Sequence, residues 1–284
     1  MKVLLIGAKG QLGSDLNTAL AKKGVEVRRV VNREIDVRNA EAVLEMVASE
    51  RPDAVVNTAA FHKLEDCDIQ PTVAYEVNAV GARNLAVACN KHGAALMHFS
   101  TDYVFDGTKG TSYSESDLTN PINVYGITKV ASEQMVAYTM QRCFVVRVCG
   151  LYGKAGPSGK GLNFVESMLK KASDGAAIRV VDDQVLSPSY TLDLAERLLR
   201  LLTTEAYGLY HLSSEGQCSW YAFASKIFEL AGVKANLSPC KTADFPSPVR
   251  RPLISAMNKA KFNQLGLGTM PHWTESLERY LAGR

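Results

Sequence analysis

Short apolar runs alternate with longer amphipathic stretches through the first half of the chain. Residues 2–7 (KVLLIG) are almost wholly apolar and end in glycine. Residues 12–23 place Leu12, Leu16, Ala19 and Leu20 at helical spacing. Continued along the chain, the pattern predicts strands at 2–7, 25–31, 54–58 and 95–100. Helices are expected at 12–23, 40–49 and 72–92, with Val43, Leu44 and Val47 on one side of the second. Strands apolar on both faces and separated by helices specify a parallel sheet covered on both sides. The expected fold class is α/β, a doubly wound parallel sheet (Rossmann) whose ligands bind outside the carboxyl ends of the strands.

The texture changes after residue 150. Residues 150–161 hold five glycines and a proline and read as a loop. Helices follow near 163–173, 192–202, 219–230 and 274–281, with short strands near 178–181 and 209–212. Residues 238–252 carry Pro239, Pro246, Pro248 and Pro252 and are expected to be irregular.

Composition narrows the field. The 284 residues include 32 Lys and Arg against 29 Asp and Glu, a net charge of +3. That balance offers no broad basic surface to nucleic acid or an anionic membrane. Apolar runs stay below the ~18 residues of a membrane span, and the N-terminus lacks a signal-peptide layout. A cytoplasmic protein with neither a nucleic-acid nor a membrane partner is expected. Its six cysteines form no C-x-x-C pair and its five histidines no H-x-x-x-H pair. Reduced thiols and the absence of a metal site follow as expectations.

Gly7, Gly10 and Gly13 are spaced three apart where the first strand meets the first helix. The first glycine permits a tight turn, the second a close approach of backbone to a pyrophosphate, and the third close helix–strand packing. With Gln11 and Leu12 between them, they place the phosphates at a helix N-terminus. Gly150, Gly153, Gly156 and Gly159 repeat the spacing, but Pro157 interrupts them and no helix starts there. A site for NAD usually has Asp or Glu about 20 residues on, at the end of the second strand. Asn32 and Arg33 stand there instead, which favours the 2′-phosphate of NADPH, with NADH as the alternative and a solvated Arg33 as the plainer reading. The chain thus divides into a dinucleotide-binding part, 1–150, and a smaller C-terminal α/β substrate-binding part, 151–284, with segments that pack back on the first.

Tyr125 and Lys129 lie at i and i+4 near the start of a further helix running toward Tyr138, so their side chains share a face. An ammonium beside a phenol is expected to lower the phenol pKa and ready it for proton transfer to a carbonyl oxygen. Thr101 ends the 95–100 strand and supplies a hydroxyl able to orient that oxygen. A structural helix tyrosine and an ordinary strand-end hydroxyl are the plainer alternatives.

These motifs together resemble the extended short-chain dehydrogenase/reductase superfamily. The strings GAKGQLGSDL, NTAA at 57–60, STDYVFDG at 100–107 and NPINVYG at 120–126 resemble the dTDP-4-dehydrorhamnose reductase family in particular. So do GLNFV at 161–165, DDQVLSP at 182–188 and RPLIS at 251–255. The resemblance implies reduction of the 4-keto group of a dTDP-sugar by NADPH or NADH, in a homodimer, with Mg²⁺ used by some members. It implies Thr101, Tyr125 and Lys129 as the catalytic set, the last two also meeting the cofactor. Gly7, Gly10, Gln11 and Leu12 would hold the pyrophosphate, Asp36 and Val37 the adenine, and Ala59 and Ala60 would line the cofactor. Asp102 and Asn163 would face the sugar nucleotide, and Arg250 and Arg251 suit its diphosphate.

Two departures stand out. Phe61-His62-Lys63-Leu64-Glu65 replaces the usual residues after Ala60. Gly150 stands where the family has a tryptophan beside the substrate, which alters pocket volume and leaves the sugar open. Two other activities share these motifs: an epimerase or dehydratase that retains NAD, and a non-catalytic subunit like the regulatory subunit of methionine adenosyltransferase.

Overall fold

Val3, Leu4, Leu5 and Ile6 are all buried in strand β1 (Lys2–Ile6), as in a strand with helices on both sides. The computed structural model describes residues 1–156, 161–244 and 247–284. β2 (Glu26–Val30), β3 (Ala54–Asn57), β4 (Ala95–Thr101) and β5 (Cys143–Val148) extend the sheet, and Gly208–His211 forms its sixth strand. Every pairing in it is parallel, in the order β2, β1, β3, β4, β5 and Gly208–His211. The chain steps outward from β1 to β2, then crosses back past β1 to β3. That reversal opens a crevice at the carboxyl ends of β1 and β3.

Each sheet face has its own core. On one, Leu12, Leu16 and Leu20 of α1 (Gln11–Lys22) pack with Leu194, Leu198 and Leu201 of the helix Thr191–Leu202. On the other, Val43 and Val47 of α2 (Ala40–Glu50) join Leu85 and Cys89 of Gly81–His92 and Val136 of Val124–Thr139. A third cluster around Tyr152, Val165, Phe223 and Leu277 holds the C-terminal part. Segments beyond residue 150 therefore serve both the central sheet and a core of their own.

Several elements differ from the sequence pattern. β5 goes unread in the sequence because Arg147 interrupts its apolar run, yet all six of its residues are buried. The expected long helix is Pro71–Tyr75 and Gly81–His92 joined by one wide π-helical turn, Glu76–Val80. The proline-rich stretch expected to be irregular begins with a strand, Asn236–Cys240, pairing with Ala177–Val181. Pro239 is tolerated because a two-stranded sheet has only edges, where one N–H can be missing. Within the expected 150–161 loop, Leu151–Tyr152 pairs with Ser189–Tyr190, while Pro157 and Gly159 lie outside the described residues. All six cysteines are buried and free. No helix among the described residues is long and apolar enough to cross a membrane.

Candidate active site

The crevice is a cleft of about 1250 Å³ with the glycine turn at one end. A Cβ on Gly7 (φ +78°) would lie 2.6 Å from Thr58 Oγ1, and one on Gly13 would strike the carbonyl oxygen of Gly7. Thr58 Oγ1 fastens the turn from below, donating to Ile6 O at 2.8 Å. Gly10 is the N-cap of α1 and brings no side chain to cap it. Ser14 N–H is the first to bond within the helix, to Gly10 O at 2.9 Å. The N–H groups of Gln11, Leu12 and Gly13 thus remain as donors at the positive end of the helix dipole, a cradle that fits a dinucleotide pyrophosphate.

The remaining cofactor candidates divide. Asn32, Arg33, Ala59 and Ala60 line the same cleft. Glu34, the neighbour able to neutralise Arg33, pairs instead with Arg28 at 3.0 Å. Gln11 lines the cleft too, and its side-chain oxygen accepts from Gly153 N at 2.9 Å, which fixes the orientation of its amide. Asp36 and Val37 stand outside the lining: Asp36 is held by Arg38, and Val37 is buried against Gly81.

Thr101, Tyr125 and Lys129 converge on the cleft floor. Asn123 starts their helix, accepting from Gly126 N at 2.8 Å while donating to Arg250 O at 2.9 Å. One helical turn then separates Tyr125 from Lys129, and β4 delivers Thr101 opposite them. The Thr101 hydroxyl lies beside that of Tyr125 and bears on its electrostatics. Thr101 Oγ1 also donates to Asp102 Oδ1 at 3.0 Å, and Cys149 Sγ to Asp102 Oδ2 at 3.1 Å.

Electrostatics at the site run against one sequence expectation. Burial, followed by the nearby Asp102 carboxylate, pushes the Tyr125 pKa up. Lys129 is driven down to about 8 by burial, partly offset by Glu133. In an enclosed apolar setting each neutral form gains, and that outweighs any attraction between phenolate and ammonium. Tyr125 therefore keeps its proton at neutral pH, as a proton donor must. Burial raises the Asp102 pKa as well.

On the substrate side, Gly150 (φ +56°) lines the cleft where a Cβ would lie 2.7 Å from Leu186 Cδ1, so a larger residue has no room without rearrangement. Arg250 and Arg251 line it too, Arg251 donating to Glu65 Oε1 at 2.8 Å. Asn163 borders the cleft with its side chain fully engaged. Its Oδ1 caps the helix Phe164–Ser173 at Glu166 N, and its Nδ2 donates to Gly153 O and the Tyr280 hydroxyl, all at 2.9 Å.

Sequence reading misses Arg179, Gln184 and Trp220 in the lining, although Gln184 lies in the quoted DDQVLSP string. It also misses His98, Ser132 and Glu133 beneath Lys129, because an apolar strand and helix pattern hides buried polar groups. No cluster of three or more His, Cys, Asp or Glu able to hold a metal ion occurs among the described residues, so Mg²⁺ finds no ligand set there.

Comparison with known proteins fits this geometry. The family model described as the RmlD substrate binding domain matches residues 1–283. The chain is 36% identical over 283 residues to the Bacillus subtilis spore coat polysaccharide biosynthesis protein SpsK, covering 100% of this chain and 98% of that one. It is 36% identical to dTDP-4-dehydrorhamnose reductase of Streptomyces griseus, over 96% of this chain and 91% of the relative. Among solved structures, dTDP-4-dehydrorhamnose reductase of Bacillus anthracis in complex with NADP superposes with a TM-score of 0.95. That structure is 37% identical and covers 100% of this chain and 99% of its own. The chain belongs to the RmlD substrate binding domain family, that of the dTDP-4-dehydrorhamnose reductases.

Proposed function

We propose that this chain is an NADPH-dependent reductase of the 4-keto group of a dTDP-4-keto-6-deoxy sugar, converting dTDP-4-dehydrorhamnose to dTDP-rhamnose. One observation carries the reading: a protonated Tyr125, beside Thr101 and one turn from Lys129, shares a cleft with an uncapped glycine-turn helix. The names of the relatives and the NADP in the Bacillus anthracis structure support the substrate and cofactor.

NADPH, when bound, supplies a hydride to C4 of the sugar. Tyr125 gives its hydroxyl proton to the C4 oxygen, while the Thr101 hydroxyl turns its hydrogen from Asp102 to that oxygen. Lys129 directs its ammonium at the cofactor ribose and at the phenolate left on Tyr125. The N–H groups of Gln11, Leu12 and Gly13 take the pyrophosphate, with Gly7 and Gly10 closing the turn beside it, and Asn32 and Arg33 take the 2′-phosphate. Ala59 and Ala60 form the wall beside the cofactor. Asp102 and Gly150 border the sugar and Arg251 its diphosphate, with Asn163 shaping the wall through the cap it makes. Residues 1–150 supply the dinucleotide half and 151–284 most of the sugar-nucleotide half. A homodimer accords with the family resemblance, and sedimentation measures it directly.

The test is turnover. Purified protein mixed with NADPH and enzymatically generated dTDP-4-dehydrorhamnose should consume NADPH only when both are present and yield dTDP-rhamnose. Isomerised or dehydrated sugar without net NADPH consumption would instead establish an epimerase or dehydratase. Tight NADPH binding with no turnover on any nucleotide sugar would establish a binding subunit.

A further inference from the structure

Behind Lys129, on the side away from the cleft, lies a chain of buried polar groups that the proposed chemistry leaves unused. Ala59 N–H donates to Asn57 Oδ1 at 3.1 Å, so the Asn57 amide turns its Nδ2 toward His98 Nδ1, also 3.1 Å away. A donor at that position requires a lone pair on Nδ1, which places the single hydrogen of the neutral ring on Nε2. Two groups face Nε2. Ser132 Oγ lies 2.9 Å away and spends its own hydrogen on Lys129 O at 2.7 Å, so it accepts from Nε2–H. Lys129 Nζ lies 3.4 Å away and meets a hydrogen rather than a lone pair.

We propose that His98 is a positioning residue for Lys129: its ring, locked by Asn57 as the Nε2–H tautomer, denies the lysine an acceptor behind and leaves its donors for the cleft. This rests on the reading of Lys129 as the residue that meets the cofactor. His98 is 1% exposed, and burial together with the Lys129 charge pushes its pKa well below the ordinary range, so the ring is neutral. The other titratable groups around Lys129 leave the assignment intact. Tyr125 and Glu133 share its helix, Asp102 follows β4, and Arg147 on β5 holds Glu133 in an ion pair. Cys67 lies on the helix Leu64–Ile69 packed beside them. Glu133 favours the ammonium through space, but Arg147 and Ser100 occupy its oxygens. Since Ala59 borders the cleft, the loop that lines the cofactor also sets the tautomer.

Two measurements on the full-length protein test this. Two-bond ¹H–¹⁵N spectra of histidine-labelled enzyme, assigned by substituting His62, His92, His211 and His272 in turn, should show His98 as the Nε2–H tautomer from about pH 6 to about pH 9. An Nδ1–H signal overturns the proposal. In kinetics, His98→Gln places an acceptor oxygen near the Nε2 position. It should raise the KM for NADPH about tenfold and move the alkaline limb of kcat/KM up by about one pH unit, because the ammonium is then held from behind. His98→Asn, which reaches only the Nδ1 position, should leave the limb in place. Loss of stability in both variants with unmoved limbs reduces His98 to a packing residue. Lys129→Ala with an unchanged KM for NADPH would instead overturn the role of Lys129, with the His98 tautomer still standing.

Discussion

Arg147 and Glu133 meet through two parallel hydrogen bonds, Nε to Oε1 at 2.8 Å and Nη2 to Oε2 at 2.7 Å, in the buried layer behind the cleft. Arg147 belongs to β5 and Glu133 to the helix carrying Tyr125 and Lys129, so the pair fixes that helix on the sheet. Ser100 donates to Glu133, and Arg147 Nη1 donates to His211 Nε2 at 3.2 Å. His211 in turn donates from Nδ1 to Asn258 O at 3.2 Å, and burial and Arg147 lower its pKa to about 3, keeping it a neutral acceptor. Arg147→Met strands a carboxylate in this layer and should cost about 3–5 kcal/mol in urea unfolding. The double variant with Glu133→Gln should recover most of that loss. A cost of the single variant below about 1 kcal/mol would show that water reaches Glu133.

Tyr125→Phe removes the proton donor and little else, since the ring still packs edge-on to Tyr103 with centroids 6.1 Å apart. Turnover should fall by roughly 10²–10⁴-fold. Binding of NADPH, followed by fluorescence titration, should stay within about threefold, a change under 1 kcal/mol. Turnover equal to that of the parent would remove Tyr125 from the chemistry.

Spacing made part of this site readable in advance. Gly7, Gly10 and Gly13 at a strand–helix junction, and Tyr125 and Lys129 one turn apart, are local patterns whose geometry is fixed by the element they sit on. The side-chain commitments of Gln11 and Asn163 were not readable, because their partners at Gly153 and Tyr280 lie 142 and 117 residues away. β5 escaped because Arg147 reads as a surface charge until Glu133 is seen beside it. Pro239 misled because its strand has an edge free to lack an N–H. The same blindness hid His98, which shows in the sequence only as a polar residue within an apolar strand.

Arg33 lines the cleft past β2, and its acidic neighbour Glu34 is committed to Arg28. A guanidinium left for a ligand there should read the 2′-phosphate. Arg33→Ala should raise the KM for NADPH about tenfold or more, the loss expected for a charge-assisted hydrogen bond, and leave the KM for NADH nearly unchanged. Equal effects on both cofactors would make Arg33 a general contributor to the cleft rather than a discriminator.

Lys129 gives the protein a pH dependence whose sign is fixed. Burial lowers its pKa from the ordinary 10.5 to about 8, while the unfolded chain keeps the lysine protonated up to the ordinary value. Between these limits the unfolded state binds more protons, so the free protein gains stability as pH rises from about 8 toward 10.5, and nothing from this group below 8. Urea unfolding should show the stability of the parent protein rising relative to Lys129→Met by about 2 kcal/mol between about pH 8 and about pH 9.5. Saturating NADPH should flatten that rise, because ribose hydroxyls accepting from the ammonium return its pKa toward the ordinary value. Parallel pH profiles for the two proteins without cofactor would mean that the Lys129 ammonium is solvated in the free cleft.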